Sequence, residues 1–158
     1  MQHLSTLWKI ANAASDVAEM ARSSEVYRFN VADRLTFYVH TSHAEVRIRR
    51  WDEPRIEVMA QLQAPFGWQV KTDQDEAGVY FVARRKPVVG NLSGAVFSIV
   101  VPAATDLLLK LDQCRLVLED VTATIALPPH TSLGDLKLEP LTHDVKQSLT
   151  AKSPRTPR

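Results

Sequence analysis

The sequence predicts a mainly all-β domain, a β-solenoid or β-roll of short strands preceded by an N-terminal α-helix, and three observations support this fold class. From Leu35 onward, apolar and polar residues alternate over short segments, as they do in half-buried strands. Polar or Pro-containing stretches separate these segments. Leucines then recur at Leu109, Leu118, Leu127 and Leu136, nine residues apart, and such a fixed period indicates a repeated structural unit.

The bulk composition indicates one soluble domain without a strong charge. The 158 residues, 45% of them hydrophobic, suffice for a single core. The 19 basic and 18 acidic side chains give a formal net charge of +1, which excludes a strong overall attraction to nucleic acids or anionic membranes. The single cysteine, Cys114, cannot form an internal disulfide, and this fits a reducing compartment.

The N-terminus gives no signal for export or membrane insertion. It lacks the basic start and continuous apolar centre of a secretory signal, and no run in the sequence approaches the about 18 apolar residues of a membrane span. We therefore expect a cytoplasmic protein that reaches a membrane only if a partner tethers it.

Residues 1–24 predict an amphipathic helix. The segment is rich in Ala, has neither Gly nor Pro, and repeats apolar residues at helical spacing, namely Leu4, Leu7, Trp8, Ala11 and Ala18. An open end of stacked strands exposes apolar side chains and unpaired backbone groups. We expect the helix to cover that end, and docking on a partner is the alternative.

Residues 27–140 form the predicted β-repeat domain. Alternation predicts strands at 35–40, 44–50 and 55–63, and in the second of these Val46 and Ile48 face inward. The segments WQVKTD and GVYFVAR flank the polar turn DQDEAG and predict a hairpin. The strand AVFSIVV is then closed by Pro102.

Three shorter strands, LLLKL, RLVLE and TIAL, follow and are joined by the corners DQC and DVTA, with PPHTSLGD after the last. In a two-sided solenoid, Leu109 stacks on Leu127 in one sheet and Leu118 faces them from the other. In an antiparallel β-sandwich, neighbouring strands instead pair antiparallel, and the spacing leaves both arrangements open. The predicted structural core is Val46, Ile48, Leu107, Leu109, Leu116, Leu118, Ile125, Leu127 and Leu136.

The C-terminal residues 141–158 lose this period. They are polar, basic and contain two prolines, a composition that predicts a disordered basic tail.

The segment FSIVVPAATDLLLKLDQCRLVLEDVTATIAL resembles the bacterial putative-adhesin-like β-repeat domains, also called toastrack domains. The resemblance rests on a strand ending in Val-Pro and on the short Leu-x-Leu strands joined by tight corners, and HAEVRIRRWDEPRIEVMAQ is similar to the opening of the family. It covers roughly residues 29–138. It implies a small β-solenoid or roll without catalytic residues, in proteins linked to cell-envelope or stress functions. Family members usually have Gly at the corners, whereas DQC and DVTA have none, which predicts looser corners here.

Two histidines form the one spacing that points to a metal. His40 and His43 point to opposite faces of a continuous strand, so they can bind one ion only if the chain turns at Thr41 and Ser42. The alternative is a pair of histidines that flank a turn. A metal-dependent enzyme or metal-binding protein that uses these residues is the first alternative function.

Basic residues suggest the second alternative function, which is nucleic-acid binding. Seven of them lie near Trp51 and Tyr80, namely Arg47, Arg49, Arg50, Arg55, Arg84, Arg85 and Lys86, and together they could bind phosphates and stacked bases. Interleaved acidic residues and the net charge of +1 argue against this. We therefore expect no nucleic-acid partner.

The sequence contains no catalytic motif, so we predict no catalytic residue and no cofactor. Cys114 lies beside a strand start, and Asp73, Asp75 and Glu76 share one turn rather than a cleft. The leading hypothesis is a non-catalytic binding or scaffold module that acts through protein–protein contacts, with a protein partner or self-association.

Overall fold

A computed structural model describes residues 22–32, 34–87, 93–121 and 125–140, and in these ranges the chain is almost entirely β-strand. A 3-10 turn, Pro65–Gly67, lies between two of the strands. The ten strands are β1 (Arg22–Asn30), β2 (Thr36–Ser42), β3 (Glu45–Trp51), β4 (Arg55–Gln63), β5 (Trp68–Gln74), β6 (Gly78–Arg85), β7 (Ala95–Pro102), β8 (Asp106–Glu119), β9 (Ile125–Ala126) and β10 (Ser132–Glu139).

The strands form one hydrogen-bonded sheet in the order β1-β4-β7-β3-β8-β2-β6-β5, and β9 and β10 also pair with β8. The long strand β8 pairs with β2 over residues 106–112 and with β3 over residues 115–119. Because β8 turns a corner between these parts, the sheet divides into two halves. The first half-sheet contains β5, β6, β2, residues 106–112 and β9, and the second contains β1, β4, β7, β3, residues 115–119 and β10.

The strand directions confirm the all-β fold and the solenoid arrangement. Strands β6, β2, β8 and β9 run parallel in the first half-sheet, as do β7, β3, β8 and β10 in the second. Leu107 pairs with Ile125, two nine-residue repeats further along, while Leu118 lies beside Ile48 in the other half-sheet. In the described ranges, antiparallel pairing lies at the opposite end, where β1 pairs with β4, β4 with β7 and β5 with β6.

The core lies between the two half-sheets and is built around aromatic rings. Phe81 of β6 contacts Phe97 of β7 edge to face, with ring centroids 5.3 Å apart, and Trp68 and Tyr27 make similar contacts at 5.9 and 5.6 Å. The Gln74 side-chain amide donates to the carbonyl of Asn30 at 2.8 Å, which joins the outermost strands β5 and β1. The sheet is therefore nearly closed at this end.

Burial separates the predicted core residues into two groups. Six of them are at most 8% exposed, namely Val46, Ile48, Leu107, Leu109, Leu116 and Leu118. Ile125 is half-buried. Leu127 and Leu136 were also predicted to lie in the core, but they are 48% and 52% exposed. They belong to the last coil, β9 and β10, and in the described part of the chain no further strand covers it.

The strand bounds differ from the predictions at both ends of the domain. Strand β1 begins at Arg22, so residues 22–24, predicted as the end of a helix, are extended. Strand β10 occupies residues 132–139, part of which was predicted as the corner PPHTSLGD. Residues 1–21 and 141–158 lie outside the described ranges, so the helix and the tail stay predictions.

Candidate binding groove

A groove of about 990 Å³ lies where the outer face of the second half-sheet meets the corner between β2 and β3. We call it the corner groove. Its polar lining comes from segments far apart in the sequence, and includes Arg22, Ser23, Gln63, His43, Gln113 and Arg115.

Strand register explains why separate segments meet in the corner groove. Ser24 pairs with Gln61, Gln61 with Val96, Val96 with Glu45, and Glu45 with Arg115. Their sequence neighbours Ala60, Leu62 and Val46 are buried, so alternation turns this row to the outside. One line of outward side chains therefore crosses β1, β4, β7, β3 and β8.

Ion pairs hold one side of the corner groove. The Glu45 carboxylate accepts from Arg47 Nε at 2.5 Å and from Arg115 Nη1 at 3.3 Å. Arg115 Nε also lies 3.3 Å from the Asp135 carboxylate. Such exposed pairs add little to stability. They do orient the Arg115 guanidinium, which lies between two carboxylates from neighbouring strands.

The rest of the corner groove is lined largely by hydrogen-bonding side chains. Ser23 Oγ is buried, and among the described residues it has no hydrogen-bond partner. The amide side chains of Gln61 and Gln63 can both donate and accept. Leu62 and Ala95 also line the groove, but their side chains are buried in the core on the inner face. This arrangement suits an extended polar ligand.

The two predicted metal ligands lie on different faces. His43 is exposed at the corner and lines the groove, with a backbone φ of 52°. His40 lies on the outer face of the first half-sheet, beside Val82 and Lys110. Among the described residues, no three His, Cys, Asp or Glu side chains are grouped to hold a metal ion. The geometry therefore gives the metal alternative no support.

The environment of His40 is cationic. Burial lowers the pKa of the imidazole below its ordinary value of 6.5, and the positive charges of Lys110 and Arg84 lower it further. The Asp112 carboxylate acts in the opposite direction. Next to this cluster, the rings of Tyr38 and Tyr80 stack with centroids 4.6 Å apart.

The basic residues proposed for nucleic-acid binding are dispersed. Arg47 pairs with Glu45, and the Arg55 guanidinium lies 4.8 Å from the ring centroid of Trp51 on the second half-sheet. Arg84 and Tyr80 belong to β6 in the first half-sheet. Trp51 and Tyr80 therefore do not form one stacking platform.

The remaining candidates for chemistry have structural roles. Cys114 is completely buried, and this burial raises the pKa of its thiol. Asp75 Oδ1 accepts from the backbone N–H groups of Ala77 and Gly78 at 2.8 and 3.0 Å, so it fixes the hairpin turn. Neither residue lines the corner groove.

Sequence reasoning missed most of the corner groove. Within its lining, His43 was predicted as a metal ligand, and Gln113 and Arg115 belong to the nine-residue repeat, whereas the sequence did not single out Ser23, Gln61 and Gln63. Their one signal is that they are outward positions of alternating strands, a property shared by every exposed strand residue.

The known proteins to which this chain is similar are solved structures. No protein-family model matches the sequence, and no curated protein is significantly similar to it. A "putative cell adhesion protein" from Clostridium sporogenes is similar over 75% of this chain and 57% of its own, with 10% identity and a TM-score of 0.49. A "putative adhesin" from Parabacteroides distasonis has 12% identity over 75% of this chain and 53% of its own, with a TM-score of 0.30.

A third structure, a "putative adhesin" from Bacteroides fragilis, has 5% identity over 75% of this chain and 58% of its own, with a TM-score of 0.31. The chain thus spans little more than half the length of these proteins. The described residues contain no helix long and apolar enough to cross a membrane. The descriptions of the three solved structures agree with the putative-adhesin-like family that the sequence resembles.

Proposed function

We propose that the chain is a non-catalytic binding module that holds an extended protein segment in the corner groove. The observation that supports this most is the outward row from Ser24 to Arg115, which places hydrogen-bonding and charged groups in one line across the outer face of the sheet. A row across neighbouring strands matches a ligand that is itself linear.

The dimensions of the row fit a short peptide. Neighbouring strands lie about 4.8 Å apart, so a row across five strands extends roughly 19 Å. An extended peptide rises about 3.3 Å per residue, so the row accommodates about six residues. Gln61 and Gln63 can pair with the peptide backbone, while Glu45 and Arg115 select charged side chains.

The cellular setting follows from the resemblance and is part of the proposal. Domains of the putative-adhesin-like family are linked to the cell envelope or to stress responses, and a peptide-binding scaffold fits either setting. A partner that presents a flexible segment would bring this module to its place of action.

A peptide selection with a groove-blocking variant tests the proposal. A phage-displayed library of random peptides is selected on the full chain, and enriched peptides are measured for binding by fluorescence polarisation. Gly94 lines the groove, and a Cβ added there would meet the end of the flexible Gln63 side chain at 3.3 Å, so Gly94→Trp introduces a large side chain at the groove with a small shift of Gln63 at its Cβ. Lys71→Trp adds the same side chain to an exposed position of β5 and is the matched control.

We expect enriched peptides to lose at least tenfold in affinity for Gly94→Trp and to bind Lys71→Trp as they bind the parent. Thermal melts of both variants show whether the fold is kept. Failure to enrich any peptide, or peptides that bind Gly94→Trp as tightly as the parent, would contradict the proposal.

A further inference from the structure

The last coil leaves one strand edge open at the end of the solenoid opposite the nearly closed end. Strand β10 pairs with β8 on one side, and in the described ranges no strand pairs with its other side. Leu136 and Leu138 pair with the buried residues Leu116 and Leu118, yet they are 52% and 68% exposed. A paired strand with an open edge and exposed leucines is a template for another strand.

We propose that β10 pairs antiparallel with β10 of a second copy of this chain, with the two-fold axis at Leu136, so that two solenoids join end to end. In this register Leu136 lies opposite its own copy. Asp135 lies opposite Lys137 of the other copy, and the reverse pair forms by symmetry.

The sequence of β10 is complementary to itself in this register. Asp135 and Lys137 pair with Arg115 and Val117 on the outer face, so both charges point away from the leucines. Antiparallel pairing about Leu136 brings each carboxylate to an ammonium on the same face, and opposite charges at directly opposed positions stabilise a strand pair. An edge lysine usually discourages pairing, but here each Lys137 meets a carboxylate.

The apolar face of β10 is also complementary in this register. Leu138 lies opposite Gly134 of the second copy. Gly134 has no side chain, and a Cβ there would have only the carbonyl oxygen of Cys114 nearby, at 3.6 Å. The space above Gly134 can therefore receive the exposed Leu138 side chain, and the two Leu136 side chains cover one another.

The existing contacts of the charged residues do not oppose this pairing. Asp135 pairs with Arg115 at 3.3 Å and is 61% exposed, and Lys137 pairs with Glu139 and is 53% exposed. Exposed ion pairs of this kind are weak, and a carboxylate can accept from two cations. The surface is distinct from the peptide-binding proposal because β10 does not line the corner groove.

Charge exchange in the full chain tests the inference. Sedimentation velocity over a range of concentrations measures the dissociation constant of the dimer. We expect Asp135→Lys and Lys137→Asp each to raise this constant at least tenfold, because each places like charges opposite one another. The double variant, in which the two charges are exchanged, should restore dimerisation, and Lys71→Asp on β5 should leave it unchanged.

Cross-linking provides a second test that does not depend on the charges. Directly opposed residues of antiparallel strands have Cα atoms about 4.5 to 5.5 Å apart, within the range of a disulfide. In a Cys114→Ala background, Leu136→Cys should form a covalent dimer on mild oxidation. Leu133→Cys should not, because in this register the two copies of residue 133 lie roughly 20 Å apart along the strands.

Several results would overturn the inference. A monomer at every concentration would show that no second copy pairs there, whether or not residues 1–21 or 141–158 of the same chain cover the edge. A dimer that tolerates both single charge reversals and gives no cross-link at position 136 would use another surface. Circular dichroism of every variant confirms that the fold is intact.

Discussion

His43 and Gln113 occupy stacked corners of neighbouring coils and share the left-handed backbone conformation, with φ of 52° and 51°. The N–H of His43 donates to the carbonyl of Asp112 at 2.9 Å, and the N–H of Arg115 donates to the carbonyl of Ala44 at 3.0 Å. The corners therefore continue the hydrogen-bonding ladder from one half-sheet to the other. They are tight without glycine, because a histidine and a glutamine take the conformation that glycine usually provides.

Substitutions at Gln113 should have effects opposite to those in a strand. A non-glycine residue in the left-handed region costs about 1–2 kcal/mol, so Gln113→Gly should be neutral or stabilise by up to about 1 kcal/mol. Gln113→Val should destabilise by about 1 kcal/mol or more, because a β-branched residue resists positive φ. At the exposed strand position Lys110, Gly should destabilise and Val should not. Urea unfolding measures all four variants, and the same order at both positions would contradict the corner assignment.

A leucine of the nine-residue series should contribute less to the free energy of unfolding in the last coil than in the preceding coil. Leu109 is fully buried, so Leu109→Ala should lower the free energy of unfolding by about 2–5 kcal/mol. Leu127 is 48% exposed, so Leu127→Ala should lower it by less than about 1 kcal/mol. Chemical denaturation of the two variants gives the comparison. Equal losses would mean that Leu127 is covered as Leu109 is.

Stability should depend on the protonation of His40. The pKa of this imidazole is lowered in the folded protein, chiefly by burial, so the unfolded chain binds the proton more tightly. The free energy of unfolding is then unaffected above the ordinary pKa of 6.5 and falls as the pH drops through and below that value. Denaturant titrations between about pH 7.5 and about pH 5 should show a smaller fall for His40→Gln. Parallel pH profiles for the parent and this variant would contradict the prediction.

The Cys114 thiol should be unreactive in the folded protein. It is buried, its pKa is raised by that burial, and its Sγ lies 3.7 Å from the carbonyl oxygen of Thr41. Ellman's reagent should react slowly with the native protein and rapidly after unfolding in guanidinium, since the thiolate is the reactive species. Complete reaction of the native protein on mixing would show that this corner of the core is open.

The central strands could be predicted because their alternation is regular and their inner face is buried. In β2 and β7, every second residue is buried without interruption. In β8, leucines nine residues apart, such as Leu109 and Leu118, lie in opposite half-sheets. Parallel stacking of equivalent positions, such as Leu107 on Ile125, follows from that period. The direction in which the strands pair could be established only from the structure, because the nine-residue spacing fits parallel and antiparallel neighbours equally.

The two outer strands were missed for identifiable reasons. Strand β1 is half-buried at Ser23, Tyr27 and Phe29 only, so alternation is weak. In β10, the register with β8 shifts between Leu133 and Asp135, and this irregularity at Gly134 breaks the period of two. The corner groove was missed because its residues come together only through strand register, and their spacing in sequence carries no motif.

The parallel stacking of coils is the central claim, and nuclear Overhauser contacts in the uniformly labelled full chain test it most directly. The claim places Val39 beside Leu109 in the first half-sheet and Ile48 beside Leu118 in the second, all in parallel strands. Parallel neighbours bring amide protons close to α-protons across the strands, whereas antiparallel neighbours bring pairs of α-protons together. We expect amide-to-α-proton contacts from β8 to both β2 and β3 without close contacts between α-protons. Strong contacts between α-protons of β8 and either strand would contradict the solenoid.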